Sequence, residues 1–161
     1  MDRELTIQLA RITDPDPLMR ADASRRLAAW RDPQVVTALL NALDDGEWRV
    51  RAAAGASLGA IGDRRAVFPL CRLLDDPKAE VRCAAIQALD TLGDPQVTAS
   101  LMIALEREQD SEARRLIART LGNIGDDRAL RPLQRLNGDR HWAVRREATA
   151  ATHRLLRRGF H

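Results

Sequence analysis

Few residues in this chain are able to do covalent chemistry, and they stand apart from one another. The imidazoles are His141, His153 and His161, and the thiols are Cys71 and Cys83. A zinc site needs several such ligands converging at short, defined spacings. The histidines are too scattered for that, and the two cysteines fall 12 residues apart on different predicted helices. Nucleophilic catalysis needs a nucleophile within reach of a base held by a third group, and no such set is identifiable. Gly55-x-x-x-Gly59-x-x-Gly62 superficially resembles a phosphate-binding loop. It ends a predicted helix, whereas a phosphate loop joins a strand to one. The expectation is a protein with no catalytic residue, no metal and no cofactor.

Charge is the remaining functional material. The formal net charge is +3, and it is unevenly placed. Residues 128–161 hold nine arginines against Asp139 and Glu147, a net +7, which leaves −4 for residues 1–127. A cationic end on a mildly acidic body raises nucleic acid as a partner class. Aromatic residues for base stacking are sparse there, with Trp142 and Phe160 alone. No apolar run approaches the roughly 20 residues needed to cross a bilayer. The start, MDRELTIQLARI, lacks the basic-then-apolar layout of a secretion signal. A cytoplasmic location with reduced thiols is therefore expected.

The elements that must position these charges follow from two ladders. Asp32, Asp63, Asp94 and Asp126 recur at intervals of 31, 31 and 32 residues. Arg20, Arg51, Arg82, Arg114 and Arg145 run in step with them. A fixed period of this length marks one supersecondary unit copied along the chain. Each recurring aspartate suits a helix N-cap, and Pro33 and Pro95 suit the first turn behind it. Apolar residues follow at helical spacing, such as Val35, Leu39 and Leu43. Pro69 and Pro132 fall some six residues past the cap and are expected to bend their helices. A second helix begins after another acidic turn and carries the ladder arginine. It ends in Leu58-Gly59-Ala60-Ile61-Gly62 or Leu121-Gly122-Asn123-Ile124-Gly125, whose last glycine suits a left-handed C-cap. The one inserted residue is placed in the Glu106–Asp110 turn. With 3% aromatic content and no alternating β-branched stretch, the chain reads as all-α.

These V-R-x-x-A-A-x-A-L-G-x-I-G-D copies resemble the HEAT-like repeats of phycobilisome lyases, a motif also used in designed helical repeat arrays. The resemblance implies an alpha-alpha superhelix, a right-handed solenoid of about five helix pairs forming one domain over residues 1–161. The repeats fall at about 1–31, 32–62, 63–93, 94–125 and 126–161. It also implies that the V-R helices line the concave side. The first and last copies depart from the pattern, as terminal capping repeats do. Trp30 stands where the closing isoleucine belongs, and Thr152-His153 replaces Leu-Gly.

Regularity makes the ladders structural: the aspartates as caps, the arginines as partners of the acidic turns. Function is expected where the period breaks, on the second helices. Those positions are Trp48, Arg49, Glu80, Gln87, Glu112, Arg115, Arg119, Asn123, Trp142, Arg146 and Arg154, with Arg25 and Ala53 on the same stripe. Mixed charge with two tryptophans suits a protein surface better than a phosphate backbone. Trp48 and Trp142 share one register and either anchor an interface or cover the adjacent turn. Trp30 and Cys71 fall at core registers, while Cys83 falls on the predicted concave face. The leading expectation is a non-catalytic scaffold or adaptor binding a protein partner on its concave face, away from membranes. The alternatives are an accessory subunit of a bilin lyase, implied by the resemblance, and nucleic-acid binding through the basic end.

Overall fold

A computed structural model describes residues 3–159, and Phe160 and His161 lie outside them. Among the described residues there are ten α-helices and no strand. The chain divides into two compact units, residues 1–92 and 93–161, which part at the join between the third and fourth repeats.

The first unit holds α1 (Arg3–Arg11), α2 (Pro17–Leu27), α3 (Pro33–Ala42), α4 (Trp48–Ile61), α5 (Val67–Arg72) and α6 (Ala79–Leu92). The second helices α2, α4 and α6 pack in succession, and α1, α3 and α5 each lie on their own partner. In the second unit, α8 (Ser111–Ile124) packs on α10 (Trp142–Arg157), with α7 (Thr98–Arg107) on α8 and α9 (Leu130–Arg135) on α10. Neither helix of a pair can bury its apolar stripe alone, so stacking creates the core. Leu39, Leu58, Leu70 and Leu89 are fully buried in the first unit, and Leu116, Ile117, Leu121 and Leu133 in the second.

The recurring aspartates cap as expected: their carboxylates accept from the backbone N–H of Gln34, Arg65, Gln96 and Arg128 at 2.7–3.0 Å. Only Asp32 opens directly onto an α-helix. Asp63, Asp94 and Asp126 each lead into one 3-10 turn before the α-helix begins. Pro69 and Pro132 are then third residues of α5 and α9. In that first turn a missing N–H leaves no intrahelical bond unmade, so the helix departs from regularity before the proline. The turn ahead of α7 forms with Ser100 at the same register, so the ring is not its cause.

Closing glycines divide into two kinds. Gly62 takes φ +79° and ends α4 in the left-handed form. Gly125 does not: at φ −67°, ψ 167° its backbone is extended, and space, not handedness, demands glycine. A Cβ there would lie 2.4 Å from the Leu121 carbonyl oxygen. Close helix approach is set by two other glycines. A Cβ on Gly59 would meet the Ala88 Cα at 2.7 Å, and one on Gly122 the Ala151 Cα at 2.6 Å. The inserted residue is absorbed at the end of α7, which stays α-helical to Arg107 and leaves only Glu108–Asp110 as turn. Trp30 is half-buried, unlike Ile61 at the same register, and Cys71 and Cys83 are half-buried and not joined in a disulfide.

Candidate interaction surface

Ladder arginines come first, because they decide which charges remain for a partner. Arg20 donates Nε and Nη2 to the two carboxylate oxygens of Asp45 at 2.7 and 2.9 Å. Arg51 does the same to Asp76 at 2.7 and 3.0 Å, and Arg114 to Asp139 at 2.7 and 3.1 Å. Each pair joins a helix to the acidic turn of the following repeat. The third nitrogen, Nη1, reaches back to the carbonyls of the arginine's own turn: Asp14 and Pro15 for Arg20, Asp45 and Gly46 for Arg51, Gln109 for Arg114. Arg82 donates in this way to Asp76, and Arg145 to Asp139 and Arg140. One guanidinium therefore fastens two turns, a task its planar five-donor fork performs and an ammonium does not.

The carboxyls respond accordingly. Hydrogen bonds from Arg20 and Arg114 hold Asp45 and Asp139 below the ordinary carboxylate range. Burial pushes Asp76 upward most strongly, yet the Arg51 hydrogen bond, the Lys78 N–H and the charges of Arg51 and Arg82 together leave it lowered. These arginines are committed to the scaffold.

In the first unit the variable positions build an open trough. Trp48 is half-buried at the start of α4, and the Arg49 guanidinium lies 4.5 Å from its ring centroid. Arg49 Nη1 also donates to Glu47 at 2.9 Å. Trp48, Arg49 and Arg25 surround a floor of Ala52, Ala53 and Ala56, enclosing a groove of about 380 Å³. Ala56 belongs equally to a second groove of about 340 Å³, lined by Gly59, Ala60, Ala84, Gln87, Ala88 and Thr91. The structure thus brings Trp48, Arg49 and Gln87 to one continuous surface, while Glu80 is exposed but lines neither groove. Sequence reasoning placed Ala53 and Gln87 on the variable stripe and did not single out Ala52, Ala56 or Ala84. A trough left open by small side chains was signalled by the run A-A-A-G-A-S-L-G-A on one helix.

In the second unit the same positions mostly neutralise one another. Arg115 makes two hydrogen bonds to Glu112 at 2.8 and 2.6 Å, which hold the Glu112 carboxyl below its ordinary range. Arg154 Nη2 lies 2.6 Å from Glu147. Arg158 donates to the carbonyls of Gly122, Asn123 and Gly125, closing the end of α8. Arg128 is tied to Asp126. Arg119 is half-buried, whereas Asn123 and Arg146 are exposed, and Trp142 is 64% exposed. Part of the basic end seen in the sequence is therefore consumed inside the unit.

Among the described residues no three of His, Cys, Asp or Glu are grouped to hold a metal. Among the same residues no helix is long and apolar enough to cross a membrane.

Comparison with known proteins agrees with this architecture. A family model described as HEAT repeats matches residues 4–90 and again residues 68–153. No match is found among curated proteins. Among solved structures, the chain is similar to the complex of CpcE and CpcF of phycocyanin lyase from Nostoc sp. PCC7120, with 25% identity and a TM-score of 0.86. That likeness covers 98% of this chain and 66% of the other, so the chain spans just under two thirds of that relative's length. An engineered protein follows with 21% identity and a TM-score of 0.68, over 96% of this chain and 80% of that one. A computationally designed armadillo repeat protein for modular peptide recognition gives 21% and 0.67, over 91% and 80%. The two engineered structures share the fold alone. Matched by that model from residue 4 to residue 153, with helix pairs throughout, the chain belongs to the HEAT-repeat family.

Proposed function

We propose that this protein is a non-catalytic scaffold or adaptor that binds a protein partner on the face formed by its second helices. The observation that carries this reading is the trough beside Trp48. A half-buried aromatic ring, an alanine floor and guanidinium groups at the rim are the composition of an interface anchor. Arg20, Arg51 and Arg114 are spent on fastening repeats, so they hold the surface without taking part in it. Replacing Trp48, Arg119 and Trp142 together by alanine is expected to abolish partner capture. Helicity and melting temperature should stay unchanged, because none of the three belongs to the buried core. Capture that persists in this variant contradicts the proposal.

A second reading rests on the likeness to the phycocyanin lyase complex: an accessory subunit in attaching a bilin. Fold-level analogy is weak support for chemistry. Incubating the chain with a bilin and an apo-phycobiliprotein tests it directly. A covalent adduct that depends on the chain supports this role, and none removes it.

A further inference from the structure

The trough of the first unit has a chemistry of its own, and this inference rests on the scaffold reading above. We infer that it takes an extended acidic peptide, with a carboxylate against Arg25 and an apolar side chain on Trp48. Three observations converge. First, the charged residues lining the Trp48 groove are both arginines, Arg25 and Arg49, and no carboxylate lines it. Arg49 is shared between the Trp48 ring and Glu47, whereas Arg25 forms no ion pair with another described residue and is exposed. An uncommitted guanidinium at the edge of an apolar floor is complementary to a carboxylate, which it can grip through two parallel hydrogen bonds.

Second, the floor consists of backbone-hugging side chains. Ala52, Ala53 and Ala56 lead at Ala56 into the second groove over Gly59, Ala60 and Ala84. A trough of this kind admits a peptide backbone with small or flat side chains. Third, the far groove carries no charged lining residue and ends at Gln87 and Thr91, whose side chains both donate and accept. The ligand so described is acidic at one end and apolar with backbone polarity at the other. Duplex nucleic acid fits poorly, since its regularly spaced phosphates would find cationic partners at one end only.

Selection from a displayed library of random nonapeptides tests this. The expected result is enrichment of sequences with Asp or Glu close to an aliphatic or aromatic residue. Arg25→Glu should reduce that enrichment about tenfold and favour Lys- or Arg-bearing peptides instead. Ala56→Gln, which fills the trough from an exposed helix position, should reduce it by a similar factor. Both variants should keep the wild-type melting temperature, so loss of binding is not loss of fold. Selected peptides without acidic bias, enrichment that survives both variants, or recovery of no peptide overturns the acidic-peptide assignment. The scaffold reading fails separately, through partner capture that persists when Trp48, Arg119 and Trp142 are replaced.

Discussion

Trp48 and Trp142 stand three residues before a ladder arginine in their respective repeats, yet their surroundings differ. Around Trp48 the helix faces carry alanine and glycine, and Arg25 forms no ion pair with another described residue. Across the second unit the corresponding helices carry arginine and glutamate already paired, Arg115 with Glu112 and Arg154 with Glu147. Trp142 projects 64% exposed. Shared register therefore does not confer shared surroundings. The scaffold supplies the position, and the residues that replace one another there decide whether it stays open.

If that is correct, changes to the common scaffold must act alike in both units, and only changes to the open surface must act differently. The largest effect is expected at the inner rungs. Arg51→Ala strands Asp76, whose side chain is 4% exposed, and Arg114→Ala strands Asp139 at 8%. Each should cost about 3 kcal/mol, because a nearly buried carboxylate loses its partner. Arg145→Ala, which removes an exposed arginine that among the described residues bonds only carbonyls of its own turn, should cost less than about 0.5 kcal/mol. Urea unfolding of the three variants measures the contrast. Equal losses at all three would show that the rungs do not hold the repeats together.

A smaller loss is expected at the close approaches. Gly59→Ala and Gly122→Ala force α4 from α6 and α8 from α10, since the new methyl meets backbone in both cases. About 2 kcal/mol each is expected, the two agreeing to within the error of calorimetry. A large disparity would mean that the units are not built alike.

Acid should act through the same rungs. Asp45, Asp76 and Asp139 have folded pKa values below the unfolded aspartate value of about 3.9. Their contribution is complete above that value and is lost as pH falls through the lower folded one. The melting temperature should hold steady down to about pH 5 and fall below about pH 4. In Arg51→Ala the fall should be shallower, because Asp76 no longer has the hydrogen bond that lowers it.

Much of the fold was legible because the ladders encode it locally. Asp32 and Asp126 reveal caps through chemistry that depends on nearby backbone, and Arg51 and Arg114 reveal pairing because the acidic turns recur in step with them. Other features were hidden because they depend on space rather than on residue type. The sequence cannot distinguish Gly62, which needs a positive φ, from Gly125, which needs only the absence of a Cβ. Nor does it show that the turns after Asp63 and Asp94 are 3-10, since the same cap serves either geometry. The candidate surface was half legible. Trp48 and Gln87 stood out by size and polarity, whereas Ala52, Ala56 and Ala84 occupy equally variable registers and drew no notice because alanine recurs throughout these helices. Arg115 and Arg154 stood out as well, but the carboxylates that occupy them lie one turn or two away on the same helix.

Under the proposed function, recognition belongs to the Trp48 trough and not to the surface at Trp142. Binding of one acidic, apolar peptide from the nonapeptide selection, followed by titration calorimetry, compares Trp48→Ala with Trp142→Ala. At least about a tenfold weakening is expected for Trp48→Ala, and an affinity within about twofold of wild type for Trp142→Ala. Equal weakening by both substitutions, or a loss confined to Trp142→Ala, would contradict it.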